Sequence, residues 1–195
     1  LKSFDFEQAF VQALPDRDVF IRWPPGIRPL KDPTTGKDTC LKLDKALYGL
    51  KQSPRCWGMK LHQFLIGEGF ERSDTDSCLY LMTRRRQKPK CSKLKVYDDF
   101  DKDYIQIALV VYADDLIARV DLNCPEAKAY YNRFVKHMFA EFVVEDRGIL
   151  DAMLGYKIDY DKEQGILKLT QKSCLLELLE RTGLQDCKTK KTPAE

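Results

Sequence analysis

At 195 residues, with 44% hydrophobic and 11% aromatic side chains, the chain carries enough apolar surface for one cored domain or two small packed subdomains, which excludes a disordered polypeptide. Its 33 Lys and Arg stand against 30 Asp and Glu, a net charge of +3 that is compatible with a polyanionic partner without pointing to one. Seven cysteines without C-x-x-C spacing and two histidines argue against structural zinc and suit reduced thiols in an intracellular protein, and no apolar run nears the ~20 residues of a membrane span.

Leu1 to Phe6 is expected as a short strand, so a strand opens almost at the first residue, as in a segment cut from a longer polypeptide. Glu7 to Leu14 begins a helix or turn, and Val19 to Ile21 predicts a second short strand stopped by Pro24-Pro25-Gly26. Lys31 to Asp38 is rich in turn residues, and Cys40 to Leu43 predicts another strand. Ser53-Pro54 signals a helix start, with Ser as cap and Pro at the first helical position. Trp57, Leu61, Phe64 and Leu65 then follow at helical spacing until Gly67-Glu68-Gly69. Cys78 to Met82 predicts a strand.

Between positions 84 and 103 a basic run from Arg84 to Lys95 is followed by an acidic one from Asp98 to Asp103. It reads either as a solvated loop or hairpin tip, or as a basic surface touching a nucleic-acid backbone. Tyr104 to Val111 is the strongest strand signal, resuming as Leu116 to Val120 after Asp114-Asp115, which puts the acidic pair at a hairpin turn. Asn123 and Pro125 launch a helix to about Phe139, with Ala129, Phe134, Val135 and Met138 as its expected apolar face. Leu154 to Tyr160 and Ile166 to Thr170 predict a second hairpin, and Gln171 to Thr182 an amphipathic helix stopped by Gly183. This mixture of hairpins and helices indicates an α+β fold.

The chemistry sits on Asp114 and Asp115. Two adjacent aspartates after an apolar strand are either an ordinary exposed turn or half of an oxygen-donor site. Two-metal phosphoryl transfer needs carboxylates gathered from separate strands, so a third acid is required elsewhere. Asp5, flanked by Phe4 and Phe6 in the opening strand, is the best candidate.

Further motifs resemble, in order and over almost the whole chain, the reverse transcriptase of copia-type long-terminal-repeat retrotransposons. Asp5-Phe6-Glu7-Gln8-Ala9-Phe10 resembles D-x-x-x-A-F, and Pro24-Pro25-Gly26-Ile27 resembles P-P-G-F with Ile for Phe. The most specific stretch is Leu47-Tyr48-Gly49-Leu50-Lys51-Gln52-Ser53-Pro54-Arg55 followed by Trp57. Tyr112-Ala113-Asp114-Asp115 resembles the Y-V-D-D box, Leu154-Gly155-Tyr156-Lys157-Ile158 resembles F-L-G-x-x-I, and Leu169-Thr170-Gln171 and Thr192-Pro193 resemble L-S-Q and T-P. One segment departs: Phe142-Val143-Val144-Glu145-Asp146-Arg147-Gly148 has Glu145 and Arg147 where F-x-M-K-D-L-G has Lys and Leu.

The resemblance implies a right-hand polymerase: a palm with a ferredoxin-like antiparallel sheet and partial fingers over residues 1–150, then a primer-grip hairpin and the start of the thumb or connection over 151–195. It implies an RNA-directed DNA polymerase, a nucleotidyltransferase adding a dNTP to a primer 3′-hydroxyl on an RNA or DNA template. Asp5, Asp114 and Asp115 would be the catalytic residues and would hold two Mg2+ or Mn2+ ions. Phe10, Gln52, Tyr112 and Ala113 would line the nucleotide site, Phe10 excluding a ribose 2′-hydroxyl by bulk; alternatively Phe10 is a plain core aromatic. Lys51, Arg55, Leu154 and Gly155 would touch nucleic acid, the first two otherwise forming a polar turn and Gly155 an ordinary hairpin glycine. Its partners would be template-primer, dNTP and the rest of a Pol polyprotein (integrase and RNase H), with no membrane, in a cytoplasmic particle or the nucleus, and its biology DNA integration. Without the upstream fingers strands, the isolated segment is expected to be weak or inactive. The competing readings are a decayed relic that only binds nucleic acid and a palm-type nucleotide cyclase, which would not need the Gly49 to Arg55 signature.

Overall fold

The strongest apolar alternation in the chain becomes the middle of its largest sheet. The computed structural model describes residues 1–85, 104–161 and 163–188, so the charged run from Arg86 to Asp103 and the closing Thr192-Pro193 lie outside the described residues. Two units are distinguished, Leu1–Gly148 and a second beginning at Ile149.

In the first unit the order is β1 (Lys2–Phe6), a 3-10 turn (Ala9–Gln12), β2 (Phe20–Ile21), β3 (Leu41–Lys42), α1 (Ser53–Gly67), β4 (Glu71–Arg72), β5 (Leu79–Arg85), β6 (Tyr104–Tyr112), β7 (Asp115–Arg119), α2 (Pro125–Glu141) and β8 (Val144–Ile149). Strands β2 and β3 form their own small antiparallel ribbon. The others make one six-stranded sheet in the order β4-β5-β6-β7-β1-β8. The terminal strand β1 is thus inserted beside β7, far from it in sequence, with Lys2 opposite Ala118 and Asp5 opposite Asp115.

Alternation explains the packing. Ile105, Ile107 and Leu109 of β6 point inward while their neighbours face out, as a two-residue period requires. Phe4 and Phe6 do the same on β1, and Leu116 and Ala118 on β7. All of these except Ile105, which packs with Cys124 and Ala127, share one buried cluster with Trp57, Leu61 and Leu65 of α1 and with Phe134 and Met138 of α2. Ring pairs knit it: Phe6 lies 5.1 Å from Trp57 and 5.3 Å from Phe142, both edge-on.

Three local expectations are corrected. Ser53 does not cap α1; Gln52 holds the cap position, and Ser53 is fully buried, its hydroxyl donating to the Leu47 carbonyl at 2.6 Å and accepting from the Leu47 N–H at 3.1 Å. A backbone partner six residues upstream has outcompeted the cap. The buried stripe of α2 is Ala127, Tyr131, Phe134 and Met138, with Ala129 exposed, and Cys124 holds the cap position before Pro125. That stripe keeps the i, i+4, i+7, i+11 period, from which Ala129 is out of phase. Arg84 and Arg85 belong to β5, and the Arg84 guanidinium sits 4.4 Å over the Tyr130 ring, so the basic run begins inside the sheet.

The second unit holds β9 (Ala152–Met153), β10 (Tyr156–Asp161), β11 (Ile166–Thr170) and α3 (Lys172–Thr182), the strands ordered β11-β10-β9. Asp161 accepts from the backbone N–H groups of Glu163 and Gln164 to shape the hairpin turn, and Gly183 ends α3 at φ 67°. With antiparallel sheets and three α-helices among the described residues, the chain has the mixed architecture expected of an α+β fold.

Candidate catalytic carboxylate site

The site is assembled by strand pairing. Tyr112 and Asp115 face one another at the end of the β6–β7 hairpin, leaving Ala113 and Asp114 as its two-residue turn. Asp114 is therefore the turn residue, whereas Asp115 is already the first residue of β7, a finer division than an acidic pair at the turn. Because β1 pairs with β7, Asp5 stands directly across from Asp115. Residues so paired have Cα atoms about 4.5–5.5 Å apart. The Phe6 N–H donates to the Asp114 carbonyl at 2.8 Å, fixing the turn against β1. Acids 109 positions or more apart in the chain (5 against 114 and 115) are thereby brought to one end of one sheet.

Two contacts hold this turn in shape. Ala113 adopts φ 53°, a left-handed backbone that disfavours side chains, and a β-branched residue most of all. The buried Trp57 of α1 donates its indole N–H to the Ala113 carbonyl at 2.8 Å. The side chain that anchors α1 in the core thus also grips the hairpin carrying the acids.

A cation lies among the carboxylates. Arg147 of β8 places Nη2 2.9 Å from Asp5 Oδ2, Nη1 3.6 Å from Asp115 Oδ1 and Nε 3.8 Å from Glu145 Oε2. Burial raises the Asp115 carboxyl above its ordinary range and the Asp114 charge raises it further; Arg147 opposes both, and Asp5 adds a smaller upward push. The backbone under Arg147 is secured by Gln12, whose amide donates to the carbonyls of Glu7 at 2.7 Å and Val143 at 2.8 Å and whose oxygen accepts from the Val143 N–H at 2.9 Å.

The other expected site residues divide between the units. Phe10, its ring 4.7 Å from that of Tyr48, lines an open cleft of about 480 Å3 with Arg55, Trp57, Val111 and Ala113. Gln52 is the cap residue of α1, Lys51 precedes it on the exposed side, and Tyr112 is half exposed at the end of β6. Leu154 and Gly155 form the β9–β10 turn of the second unit, at φ 49° and 77°. Sequence reading missed two residues here: Arg147, visible only as a departure from the family pattern, and Trp57 as a brace of the turn, for which no local signal exists.

The donor chemistry suits a hard divalent cation, since Asp5, Asp114 and Asp115 offer only carboxylate oxygens. Among the described residues, no group of three or more His, Cys, Asp or Glu side chains is already arranged to hold a metal ion. No helix among the described residues is long and apolar enough to cross a membrane.

Comparison with known proteins agrees with the motifs. The family model for reverse transcriptase (RNA-dependent DNA polymerase) matches residues 1–195. The chain is 30% identical over 193 residues to the retrovirus-related Pol polyprotein from transposon RE1 of Arabidopsis thaliana, covering 99% of this chain and 11% of that protein. It is 25% identical over 193 residues to the corresponding polyprotein from transposon TNT 1-94 of Nicotiana tabacum, covering 99% of this chain and 13% of that protein. Against the putative transposon Ty5-1 protein of Saccharomyces cerevisiae it is 24% identical over 189 residues, 97% of this chain and 52% of the other. No solved structure matches the chain. It spans only about a tenth of the first two relatives. A continuous family match, the ordered motifs and the retrotransposon polyproteins it resembles lead to one statement: the chain belongs to the reverse transcriptase (RNA-dependent DNA polymerase) family, in the copia-type branch found in retrotransposon Pol polyproteins.

Proposed function

We propose that the chain is the polymerase palm, with part of the fingers and the start of the thumb, of an RNA-directed DNA polymerase that transfers a nucleotide from a dNTP to a primer 3′-hydroxyl. The observation that carries this reading is the pairing of Asp5 with Asp115 across β1 and β7, beside Asp114. Asp5, Asp114 and Asp115 would hold two Mg2+ or Mn2+ ions, which when bound supply activation of the hydroxyl and stabilisation of the leaving pyrophosphate. The chain's own residues do the positioning. Trp57 and the Phe6 backbone fix the acidic turn. Phe10 presents a rigid ring in the cleft beside Ala113, where its bulk would reject a ribose 2′-hydroxyl. Gln52 and Tyr112 would border the nucleotide, Lys51 and Arg55 the phosphate backbone, and Leu154 and Gly155 the primer terminus. Template-primer, dNTP, and a parent polyprotein with integrase and RNase H are the partners of this reading, and the particle or nucleus its setting.

Primer extension on an RNA template tests it, using a longer polypeptide that contains this chain. Asp114→Asn is expected to lower extension by about a thousandfold, the several kcal/mol that a charge-stabilising group supplies. Duplex binding with no extension by the unsubstituted protein would instead identify a relic that only binds nucleic acid.

A further inference from the structure

We infer that Arg147 is an internal counter-cation of the acidic site, and that a divalent cation enters only by displacing it. The inference rests on the reading of Asp5, Asp114 and Asp115 as metal ligands. It is carried by position and geometry. Strand β8 lies beside β1 in the sheet, and Arg147 extends from it to pair with Asp5 at 2.9 Å and Asp115 at 3.6 Å, two acids from different strands. A carboxylate oxygen turned to the guanidinium is not free for an ion, and two cations in one small site repel. The two occupants therefore exclude one another.

The backbone beneath Arg147 is fixed while its side chain is not. Gln12 and Glu7 bind both backbone groups of Val143, the residue just before β8, and Asp146 accepts from the Gly148 N–H at 2.7 Å, where Gly148 turns at φ 81°. The side chain itself is half exposed, so its long stem can swing toward water. Glu145, 3.8 Å from Nε and itself mostly exposed, gives the released guanidinium an alternative partner on the same strand. Where the family pattern has Lys and Leu, this chain has a carboxylate and a guanidinium, which supply both the plug and its resting place. Without an ion the protein thus keeps the charge of Asp5 and Asp115 partly offset, with a weaker hold on the ion as the consequence.

Mn2+ binding to the 195-residue chain, measured by electron paramagnetic resonance, tests this with Arg147→Leu, Arg147→Lys and a D5N/D114N/D115N control. Arg147→Leu is expected to bind Mn2+ on the order of tenfold more tightly than the unsubstituted chain, a usual size for coupling between two ligands. It is also expected to melt lower in chelator and to recover on adding Mn2+, with Arg147→Lys between. Equal affinity in the unsubstituted chain and Arg147→Leu, both above the control, overturns the inference and leaves the ligand reading intact. Binding no better than the control in every variant overturns the ligand reading itself. Should Arg147→Leu not fold, the Arg147 Nε–H resonance of the unsubstituted chain decides: it is expected to move on Mg2+ addition, and a signal unmoved while Mg2+ binds overturns the inference.

Discussion

The two units of this chain are specified in different ways. In the first, aromatic and aliphatic side chains far apart in sequence share a single buried cluster spanning β1, α1, the central strands and α2. In the second, among the described residues, Leu150 alone is buried, every position of β11 is exposed, and α3 has no buried residue although it carries Leu175, Leu176 and Leu178. Its elements follow from local instructions: an Asp161 turn, Gly155 and Gly183 at positive φ, alternation in β10 and β11. Local signals suffice to shape a hairpin and a helix. They do not by themselves make a core, and such elements alone are marginal in water. A precise constellation such as Asp5, Asp115 and Arg147 needs the first kind of specification, because its members meet only through packed strands.

Substitutions can sharpen this contrast. Phe134→Ala, which opens a void between α2 and the Phe64 and Phe70 rings, is expected to destabilise the first unit by about 3–5 kcal/mol in denaturant unfolding. Ser53→Ala leaves the Leu47 backbone groups without their buried partner and is expected to cost about 1–3 kcal/mol by the same measurement. Ala113→Gly relieves a left-handed residue and is expected to raise stability by at most about 1 kcal/mol, read as a small upward shift of the thermal midpoint. Leu176→Ser, on the exposed α3, is expected to change stability by less than about 0.5 kcal/mol. A loss of several kcal/mol there would mean that the second unit is held by burial after all, and the contrast drawn above would fail.

Much of the fold was legible in the sequence because its strands alternate cleanly and its hairpins carry turn chemistry. Tyr104 to Val111, the Asp161 to Gly165 turn and the Gly183 stop needed no tertiary information. Asp5 could be nominated from its motif and its apolar neighbours, but its register opposite Asp115 is a property of strand insertion. The failures share a cause. Ser53-Pro54 carries a local cap signal, whereas the buried Ser53 hydroxyl is engaged by the Leu47 backbone. Ala129 has the composition of a buried helix position but not the phase of the buried face of α2. Arg147 could be seen only as an anomaly, since nothing near it in sequence names Asp5 as its partner.

The Trp57 hydrogen bond to Ala113 has a mechanical consequence. Helix α1 begins with Gln52 and the residues proposed to meet nucleic acid, and one turn further on it is latched to the loop that carries Asp114. Strain at the start of the helix is therefore delivered to the acids as a tug on one carbonyl. The alignment of the carboxylates is thus coupled to the seating of α1, so that on the proposed reading a badly seated nucleic-acid strand and a misaligned acidic turn would be the same mechanical event.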